Sequence, residues 1–399
     1  MTRTQWMPGF ETLSYGALWR LFVVMAVCVN LASVALAGPR ERAQRIHDRL
    51  AGVPPSEKVL DDMEQLIIQG NVLGAAQLAM ENKHFYTVTL KNFAAPWTNR
   101  DQNVFVPLND YIALVIGMVR DDVPFNQILS ADLLYVGNNG SLPPPSPANN
   151  DHFVALERRM MDPDFDIGEL QPVPQSSVYP LPAAATAGAM TTRAAAEAFF
   201  IAGTNRAMFR FTLLNHLCTD LEQVLDTSVI PDRIRQDVSR SPGGDSRVFM
   251  NNCIGCHAGM DPMVQAFAYY NFNETTGSIE YTDGVVQPKY FNNDETFPDG
   301  FVTPNDSWDN YWREGQNAVL GWDPNLPGAG VGAKSLGQEL AASQAFAQCQ
   351  VKKVFRAVCL RDPDAEDQTE FNQMVQSFRS DYNLRNTFAE SAAYCTAGM

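Results

Sequence analysis

The stretch Asn251–Pro262, which reads NNCIGCHAGMDP, carries the residues of this sequence that are best suited to chemistry. Two residues separate the thiols of Cys253 and Cys256, and His257 follows the second thiol directly. This Cys-x-x-Cys-His pattern is the signature of covalent c-type haem attachment. Each thiol would add to one vinyl group of the porphyrin, and the imidazole would ligate the iron. We therefore predict one covalent haem c, with Cys253 and Cys256 as tethers and His257 as the metal ligand.

Two other uses of paired cysteines fit the sequence less well. A structural zinc site needs four ligands at short spacing, but no further cysteine or histidine occurs between residues 258 and 348. A thioredoxin-type dithiol is expected within a βαβ unit, whereas the pattern around the motif is helical. Haem attachment is therefore the favoured interpretation, and zinc binding and dithiol chemistry are the alternatives.

The ligand on the opposite face of the iron is left open by the sequence. Met260 and Met263 follow His257 on the same predicted helix, so both would stay on the proximal side and pack against the haem edge. An iron without a distal ligand is one alternative. The distal candidates are His216, Met208, Met190 and Met374, followed by the more remote His84, His152 and His47.

Basic residues shortly before the motif are candidates to neutralise the haem propionates. Each of them would alternatively serve as a surface or capping residue. They are Arg233, Arg235, Arg240 and Arg247. The dipeptide Asp261-Pro262 predicts that the haem helix ends directly behind the cofactor, because a proline disfavours helical backbone at the residue before it.

The N-terminus has the features of an export signal. Leu21–Leu36 is apolar except for two polar residues, and Ala35–Ala37 offers small residues for cleavage before Gly38. The alternative is an uncleaved membrane anchor. Cleavage is favoured because the apolar run is shorter than the roughly 20 residues that span a bilayer. Residues 1–37, including Cys28, are therefore predicted to be removed, and the mature protein is expected to be periplasmic or secreted.

Four cysteines remain once two are assigned to the haem, and an oxidising compartment would pair them. Cys349 and Cys359 are predicted to lie on one helix, where ten residues of rise place them about 15 Å apart. Bridged Cα atoms lie within about 7 Å of each other, so these two cannot pair. We favour Cys359–Cys395 together with Cys218–Cys349, with free buried thiols as the alternative.

Composition and charge describe a folded, acidic, loop-rich protein. The chain has 399 residues, and its 25 prolines and 26 glycines predict long irregular connections. The 29 basic and 45 acidic residues give a net charge of −16, and no basic run forms a phosphate-binding stripe. Nucleic acid is therefore not an expected partner, whereas a protein with a basic surface is.

The predicted fold is mainly α, with a cytochrome c-like haem domain embedded in a larger helical, loop-rich protein with few strands. After the signal, four regions are predicted: an N-terminal helical region (38–140), a Pro-rich linker (141–185), a haem-binding region (186–290), and an irregular aromatic-rich segment with C-terminal helices (291–399). Apolar periodicity and capping residues predict the first helices. They are Arg40–Leu50, Ser56–Gln69, Leu73–Met80 and Leu108–Arg120.

The haem motif and its surroundings resemble a known group of sequences. Cys-x-x-Cys-His is followed here by Met260-Asp261-Pro262 and preceded by Gly203–Arg206 and by Leu217-Cys218. This pattern resembles the large cytochrome c-like domain families first noted in planctomycetes and also found in proteobacteria, which share a CxxCH-x-x-[MI]-D-P core and have no assigned general function. The likeness covers roughly residues 190–399.

Two details qualify the extent of this likeness. The run Phe346–Phe355 is similar to the closing helical segment of these families, and Asn109–Ala131 resembles their N-terminal helical part more weakly. The chain has Met263–Phe267 where many of these sequences carry a Gly-Phe-Ala-Leu-Glu run. The resemblance implies a haem domain with Cys253, Cys256 and His257 at its attachment site.

These observations predict an exported monohaem c-type protein that transfers electrons to or from a redox partner protein. No acid–base group accompanies the motif, and no catalytic residue is assigned. A haem-dependent oxidoreductase with an open distal iron site is one alternative. An acidic docking subunit of a larger redox assembly is another. Contact with a membrane is expected only through an uncleaved signal.

Overall fold

Side-chain caps mark the starts of several helices in the computed structural model, which describes residues 38–397. Ser56 accepts a hydrogen bond from the backbone N–H of Val59, and Thr192 accepts one from that of Ala195. Such caps satisfy donors that the first turn of a helix leaves free. The predicted export signal, residues 1–37, lies outside the described residues.

Helices predominate, and the strands are few and short. The α-helices are α1 (Pro39–Ala51), α2 (Glu57–Ile68), α3 (Val72–Ala79), α4 (Lys91–Ala94), α5 (Asp110–Arg120), α6 (Asp151–Met160), α7 (Arg193–Phe199), α8 (Arg206–Thr212), α9 (Ser246–Val248), α10 (Ile254–Val264), α11 (Gly332–Ala341), α12 (Gln344–Cys359), α13 (Gln368–Asp381) and α14 (Leu384–Cys395). The strands are β1 (Leu134–Gly137), β2 (Leu170–Val173), β3 (Tyr270–Asn273), β4 (Ser278–Tyr281), β5 (Ser307–Asp309) and β6 (Ala329–Val331).

Helical turns of other kinds complete the description. The π-helical turns are Phe85–Leu90, Leu213–Leu217 and Phe249–Cys253. The 3₁₀ turns are Ala95–Thr98, Phe125–Leu129, Ile167–Glu169, Gln175–Ser177, Gly188–Thr191, Leu221–Val224, Pro242–Gly244, Gln265–Phe267, Pro288–Phe291, Asp294–Thr296, Tyr311–Arg313 and Gly315–Leu320.

The predicted fold class, mainly α with few strands, is confirmed. The four N-terminal helices predicted from periodicity are present as α1, α2, α3 and α5, each within two residues of the predicted bounds. Within residues 38–397 the strands form antiparallel pairs, β1 with β2, β3 with β4 and β5 with β6. No helix of this part of the chain is long and apolar enough to cross a membrane.

One large apolar core runs through most of the described chain, from Ala43 in α1 to Ala392 in α14. Near the C-terminus, α12 packs against α14 and α13. The segment predicted as a Pro-rich linker contains α6 and β2, and its Leu156 and Leu170 are buried in the same core. The predicted division of the chain into regions stays a prediction.

The predicted cysteine pairing is confirmed. Cys218 pairs with Cys349 at a Cα separation of 5.2 Å, and Cys359 pairs with Cys395 at 5.5 Å. Cys349 and Cys359 both lie on α12, as the predicted helix required. Disulfides persist in oxidising compartments, and these two pairs are compatible with a location outside the cytoplasm.

Candidate haem-attachment site

The predicted tethers and ligand lie together on one face of a helix. The π-turn Phe249–Cys253 continues directly into α10, so Cys253, Cys256 and His257 occupy positions i, i+3 and i+4 of one helical run. Side chains at this spacing point in the same direction. All three are partly exposed, and neither thiol forms a disulfide. Both sulfurs are therefore available for covalent attachment from the same side.

The thiol of Cys256 lies in a partly buried, polar environment. Cys256 Sγ donates a weak hydrogen bond to the carbonyl of Leu221 at 3.6 Å. Burial, and then the nearby charge of Glu222, raise the pKa of the Cys256 thiol. Burial of this thiol therefore favours its neutral form. Residues 38–397 contain no group of three or more histidine, cysteine or carboxylate side chains placed to hold a metal ion.

His257 is held through one ring nitrogen and free at the other. Its Nδ1 lies 3.2 Å from Oδ1 and 3.1 Å from Oδ2 of Asp261, one turn further along α10. Its Nε2 makes no hydrogen bond to any of the residues 38–397. Metal-ligating histidines commonly bond a carboxylate or carbonyl through the nitrogen that does not bind the metal. His257 therefore has the arrangement of an iron ligand that binds through Nε2.

The carboxylate that holds His257 is itself clamped by an arginine from α8. Arg206 Nε donates to Asp261 Oδ1 at 2.8 Å, and Arg206 Nη2 donates to Oδ2 at 2.9 Å. Burial acts to raise the pKa of Asp261, but the charge of Arg206 and the hydrogen bond with His257 outweigh it and hold the pKa well below its usual range. Because Asp261 stays ionised and can only accept hydrogen bonds, the proton between it and His257 belongs to Nδ1.

Asp261-Pro262 does not end α10, so the prediction that the helix stops there was wrong. Residue Pro262 lies inside α10, which continues to Val264, and a 3₁₀ turn then extends it to Phe267. A proline within a helix removes one backbone hydrogen bond and usually kinks or ends it. Here Pro262 is buried and Asp261 is tied to Arg206. Tertiary packing thus outweighs the local preference to stop.

Further along α10, Gly259 packs against a buried indole. The side chain of Trp312 is fully buried and lies directly against Gly259. Met260 and Met263 are also buried in the main apolar core. This contact requires glycine, because a β-carbon at residue 259 would lie 2.6 Å from Cδ1 and 2.7 Å from Cε2 of the indole, and closer still to Nε1.

Replacing Gly259 by alanine is expected to destabilise the protein by about 1–3 kcal/mol, because overpacking a filled core forces backbone or side-chain shifts. Gly140→Ala is the control, since a β-carbon there meets nothing within 4 Å, and its effect is expected within about 0.5 kcal/mol of zero. Urea unfolding of both variants measures the difference. Equal stability of the two variants would contradict the packing described here.

Three of the distal candidates lie together around one small cavity. His216, Met208 and Met190 line one cavity of about 10 Å³, together with Tyr111 and others. Neither tether nor His257 lines this cavity. Met208 lies on α8, which packs against α10. The structure therefore groups these candidates without placing any of them opposite His257.

The remaining distal candidates have local partners. Met374 lies on α13, where its sulfur accepts a hydrogen bond from Ser391 at 3.7 Å. The more remote histidines bond nearby groups through Nδ1. These bonds join His47 to the Val53 carbonyl, His84 to the Asn82 side chain, and His152 to the Pro143 carbonyl. The distal ligand stays open.

His216 is engaged in a buried polar network. Its Nε2 and the Tyr111 hydroxyl lie 2.6 Å apart, and the amide nitrogen of Gln350 lies 3.5 Å from its Nδ1. Burial, and then the charge of Lys353, lower the pKa of His216 well below its ordinary value. His216 is therefore neutral and hydrogen-bonded, which is the arrangement expected of a structural histidine.

This burial predicts a pH dependence of stability. His216 has a folded-state pKa below the unfolded value of about 6.5, so below that pH the unfolded chain binds the extra proton and stability falls. Urea unfolding should show that the free energy of unfolding falls between about pH 7.5 and pH 5.5, by up to about 1.4 kcal/mol per pH unit. His216→Gln should lack this contribution. Parallel slopes for the two proteins would contradict this account.

The four arginines predicted as propionate partners all have protein partners. Two of them are buried or bonded to backbone. Arg235 pairs with Asp237 and lies over the Tyr290 ring, while Arg240 donates to two backbone carbonyls. The other two form ion pairs. Arg233 pairs with Asp309, and the exposed Arg247 pairs with Asp245.

The surroundings of the motif suit a large apolar group. Cys253 and Val229 pack against a small apolar cluster that includes Phe249 and Ile254. Exposed apolar side chains occur in the same segments, with Ile230 at 68%, Met250 at 55% and Val248 at 37% exposure. The two free thiols and the free Nε2 on one side of α10 are the groups that covalent attachment and iron ligation of a porphyrin would need.

A larger cavity lies beside the same helix. Its volume is about 560 Å³, and its lining includes Asp226, Val229, Tyr311 and Glu314. The backbone N–H of Asp226 donates to the Gly255 carbonyl at 2.9 Å, which ties this wall to α10. Acidic side chains in the wall disfavour the propionate edge of a haem, because like charges repel.

Motif spacing predicted a role for the two thiols and His257 but did not predict the ion pairs that surround them. Arg206 is 55 positions from Asp261 and 31 positions from Asp237 in the sequence, and pairs at such separations carry no local signal. The available signals were the i, i+4 spacing of His257 and Asp261 and the arginine within Gly203–Arg206. Both point to a buried ion pair only when the contact between α8 and α10 is known.

No protein-family model, no curated protein and no solved structure matches this chain. The geometry of α10 and its neighbours is therefore the basis on which a function is proposed.

Proposed function

We propose that this protein is an exported monohaem c-type cytochrome-like protein that transfers electrons. The observation that carries the proposal is the attachment face of α10. There, two free thiols and a histidine point in one direction, and Asp261 holds Nδ1 of His257 while Nε2 is free. In this proposal Cys253 and Cys256 tether the haem, and His257 ligates the iron.

A bound haem would supply a one-electron Fe(III)/Fe(II) couple. The protein's own part is to hold that group in place and near the surface. The side chain of His257 is 21% exposed, and both thiols are partly exposed. A cofactor on this face would therefore lie close to a docking partner. The net charge of −16 favours a partner with a basic surface.

Two further features support export and relate the chain to similar sequences. The disulfides Cys218–Cys349 and Cys359–Cys395 suit an oxidising compartment, which supports a periplasmic or secreted protein and removal of residues 1–37. The CxxCH-x-x-M-D-P core supports a relationship to the cytochrome c-like families of planctomycetes and proteobacteria. Both statements are part of the proposal.

One observation favours a second candidate, a haem-dependent oxidoreductase with an open distal position. The ring nitrogens of His216 already have partners in Tyr111 and Gln350. A distal site without a strong protein ligand would leave the iron free to bind a small molecule.

Spectroscopy and voltammetry of the purified exported protein test the proposal and separate the two candidates. Electron transfer predicts a reversible one-electron couple and a low-spin reduced spectrum that carbon monoxide does not change. An open site predicts a high-spin iron that binds carbon monoxide. A haem that cannot be reduced and reoxidised would contradict the proposed function. Salt-dependent binding to a basic redox protein tests the docking partner.

A further inference from the structure

A chain of buried ionic contacts leads away from the imidazole of His257. Asp261, 1% exposed at its side chain, contacts Nδ1 of His257 on one side and two nitrogens of Arg206 on the other. Arg206 also donates to both oxygens of Asp237, through Nη1 at 2.8 Å and Nη2 at 3.1 Å. Arg235 completes the chain through its bond to Asp237 at 3.1 Å.

We infer that Asp261 sets the reduction potential of the haem by making His257 a more electron-donating ligand, and that Arg206 limits how strongly it does so. This inference rests on the proposed function. A carboxylate that accepts the Nδ1 proton fixes the tautomer and raises the basicity of the ligand. A more basic ligand stabilises Fe(III) relative to Fe(II) and lowers the potential.

The position of Asp261 supports an electronic role in addition to a structural one. A structural ion pair would be complete with Arg206 alone, since both oxygens of Asp261 are bonded to it. The i, i+4 spacing on α10 nevertheless directs the same carboxylate at Nδ1 of His257. Because Asp261 is buried, water does not weaken this contact, and the charge acts on the imidazole through a low-dielectric medium.

Arg206 reduces the effect of Asp261 on His257. Its two hydrogen bonds draw electron density away from Asp261, so the carboxylate acts on His257 with less than its full charge. Arg206 in turn shares its own charge with Asp237. The balance among Asp261, Arg206 and Asp237 therefore determines how much negative charge reaches His257, although Arg206 and Asp237 do not themselves contact the histidine.

Asp261→Asn is the first variant of the test. Asparagine keeps the size of the side chain but removes its charge. The preference of the site for Fe(III) over Fe(II) is expected to fall about tenfold, which raises the midpoint potential by about 59 mV for one electron. Voltammetry measures the shift, and the haemochrome spectrum verifies that the haem is still covalently attached.

Arg206→Lys is the second variant, and it should shift the potential in the opposite direction. Lysine keeps the positive charge but not the bidentate geometry. Asp261 would then act more strongly on His257, so the midpoint potential should decrease. Asp164→Asn is the control. Asp164 also pairs with an arginine, Arg159, but it is exposed and lies beyond the end of α6, so no shift is expected.

The outcomes separate this inference from the proposed function. A wild-type protein without covalent haem overturns both. An attached haem whose potential is the same in Asp261→Asn and the wild type overturns the inference alone. Shifts of the same sign in Asp261→Asn and Arg206→Lys also overturn it, because general disruption of packing would then explain both. If Asp261→Asn fails to retain haem, a downward shift in Arg206→Lys supports the inference, and an upward shift or none overturns it.

Discussion

Replacing Arg206 by alanine is expected to destabilise the protein by about 3–5 kcal/mol, because it leaves a buried carboxylate without its counter-ion. Asp261 is 1% exposed and Asp237 is 13% exposed at the side chain, so water cannot replace the lost guanidinium at Asp261. The loss should appear as a lower midpoint in urea unfolding, with little change in the slope of the transition.

Arg210 provides a matched control on the same helix. Arg210 forms a bidentate pair with Asp220, but its side chain is 47% exposed. Exposed ion pairs contribute about 0–1 kcal/mol, so Arg210→Ala should be nearly neutral. A loss in Arg206→Ala no larger than that in Arg210→Ala would show that Asp261 does not depend on its counter-ion.

Removing the Cys218–Cys349 disulfide is expected to cost about 5 kcal/mol in the chain-entropy account, since it closes a sequence separation of 131 residues. The double variant Cys218→Ala and Cys349→Ala avoids leaving a single thiol behind. The bond ties α12 to the end of the π-turn Leu213–Leu217. Its loss should lower the melting temperature under non-reducing conditions.

The second disulfide serves as the internal comparison. Cys359–Cys395 spans 36 residues, for which the same account gives about 4 kcal/mol. Removing this bond should therefore destabilise the protein by about 1 kcal/mol less than removing Cys218–Cys349 does. If the double alanine variant at Cys218 and Cys349 were as stable as the wild type, this disulfide would not contribute to the stability of the protein.

The cysteine pairing could be predicted because it follows from distances along a helix. Placing Cys349 and Cys359 on one helix excluded their mutual pairing, and the choice favoured between the two remaining arrangements is present in the structure. The N-terminal helices were predictable for a similar reason, since caps such as Ser56 and apolar periodicity are local signals.

What the sequence could not indicate depends on contacts between distant segments. The ion pair of Arg206 with Asp261 requires α8 and α10 to pack together, and the burial of Trp312 against Gly259 likewise joins segments more than fifty residues apart. The same packing explains why the helix continues through Pro262, where the local preference is to end.

The central claim is that one haem is bound covalently through Cys253 and Cys256. Trypsin would release residues 248–289 as a single peptide, because no lysine or arginine lies between Arg247 and Lys289. This peptide contains both cysteines of the motif and no other cysteine. Mass spectrometry of the exported protein should find it heavier than its sequence by one haem, and Cys253→Ala with Cys256→Ala should abolish that increase. An unmodified peptide, or one carrying only a Cys253–Cys256 disulfide, from cells that mature other c-type cytochromes would contradict the claim.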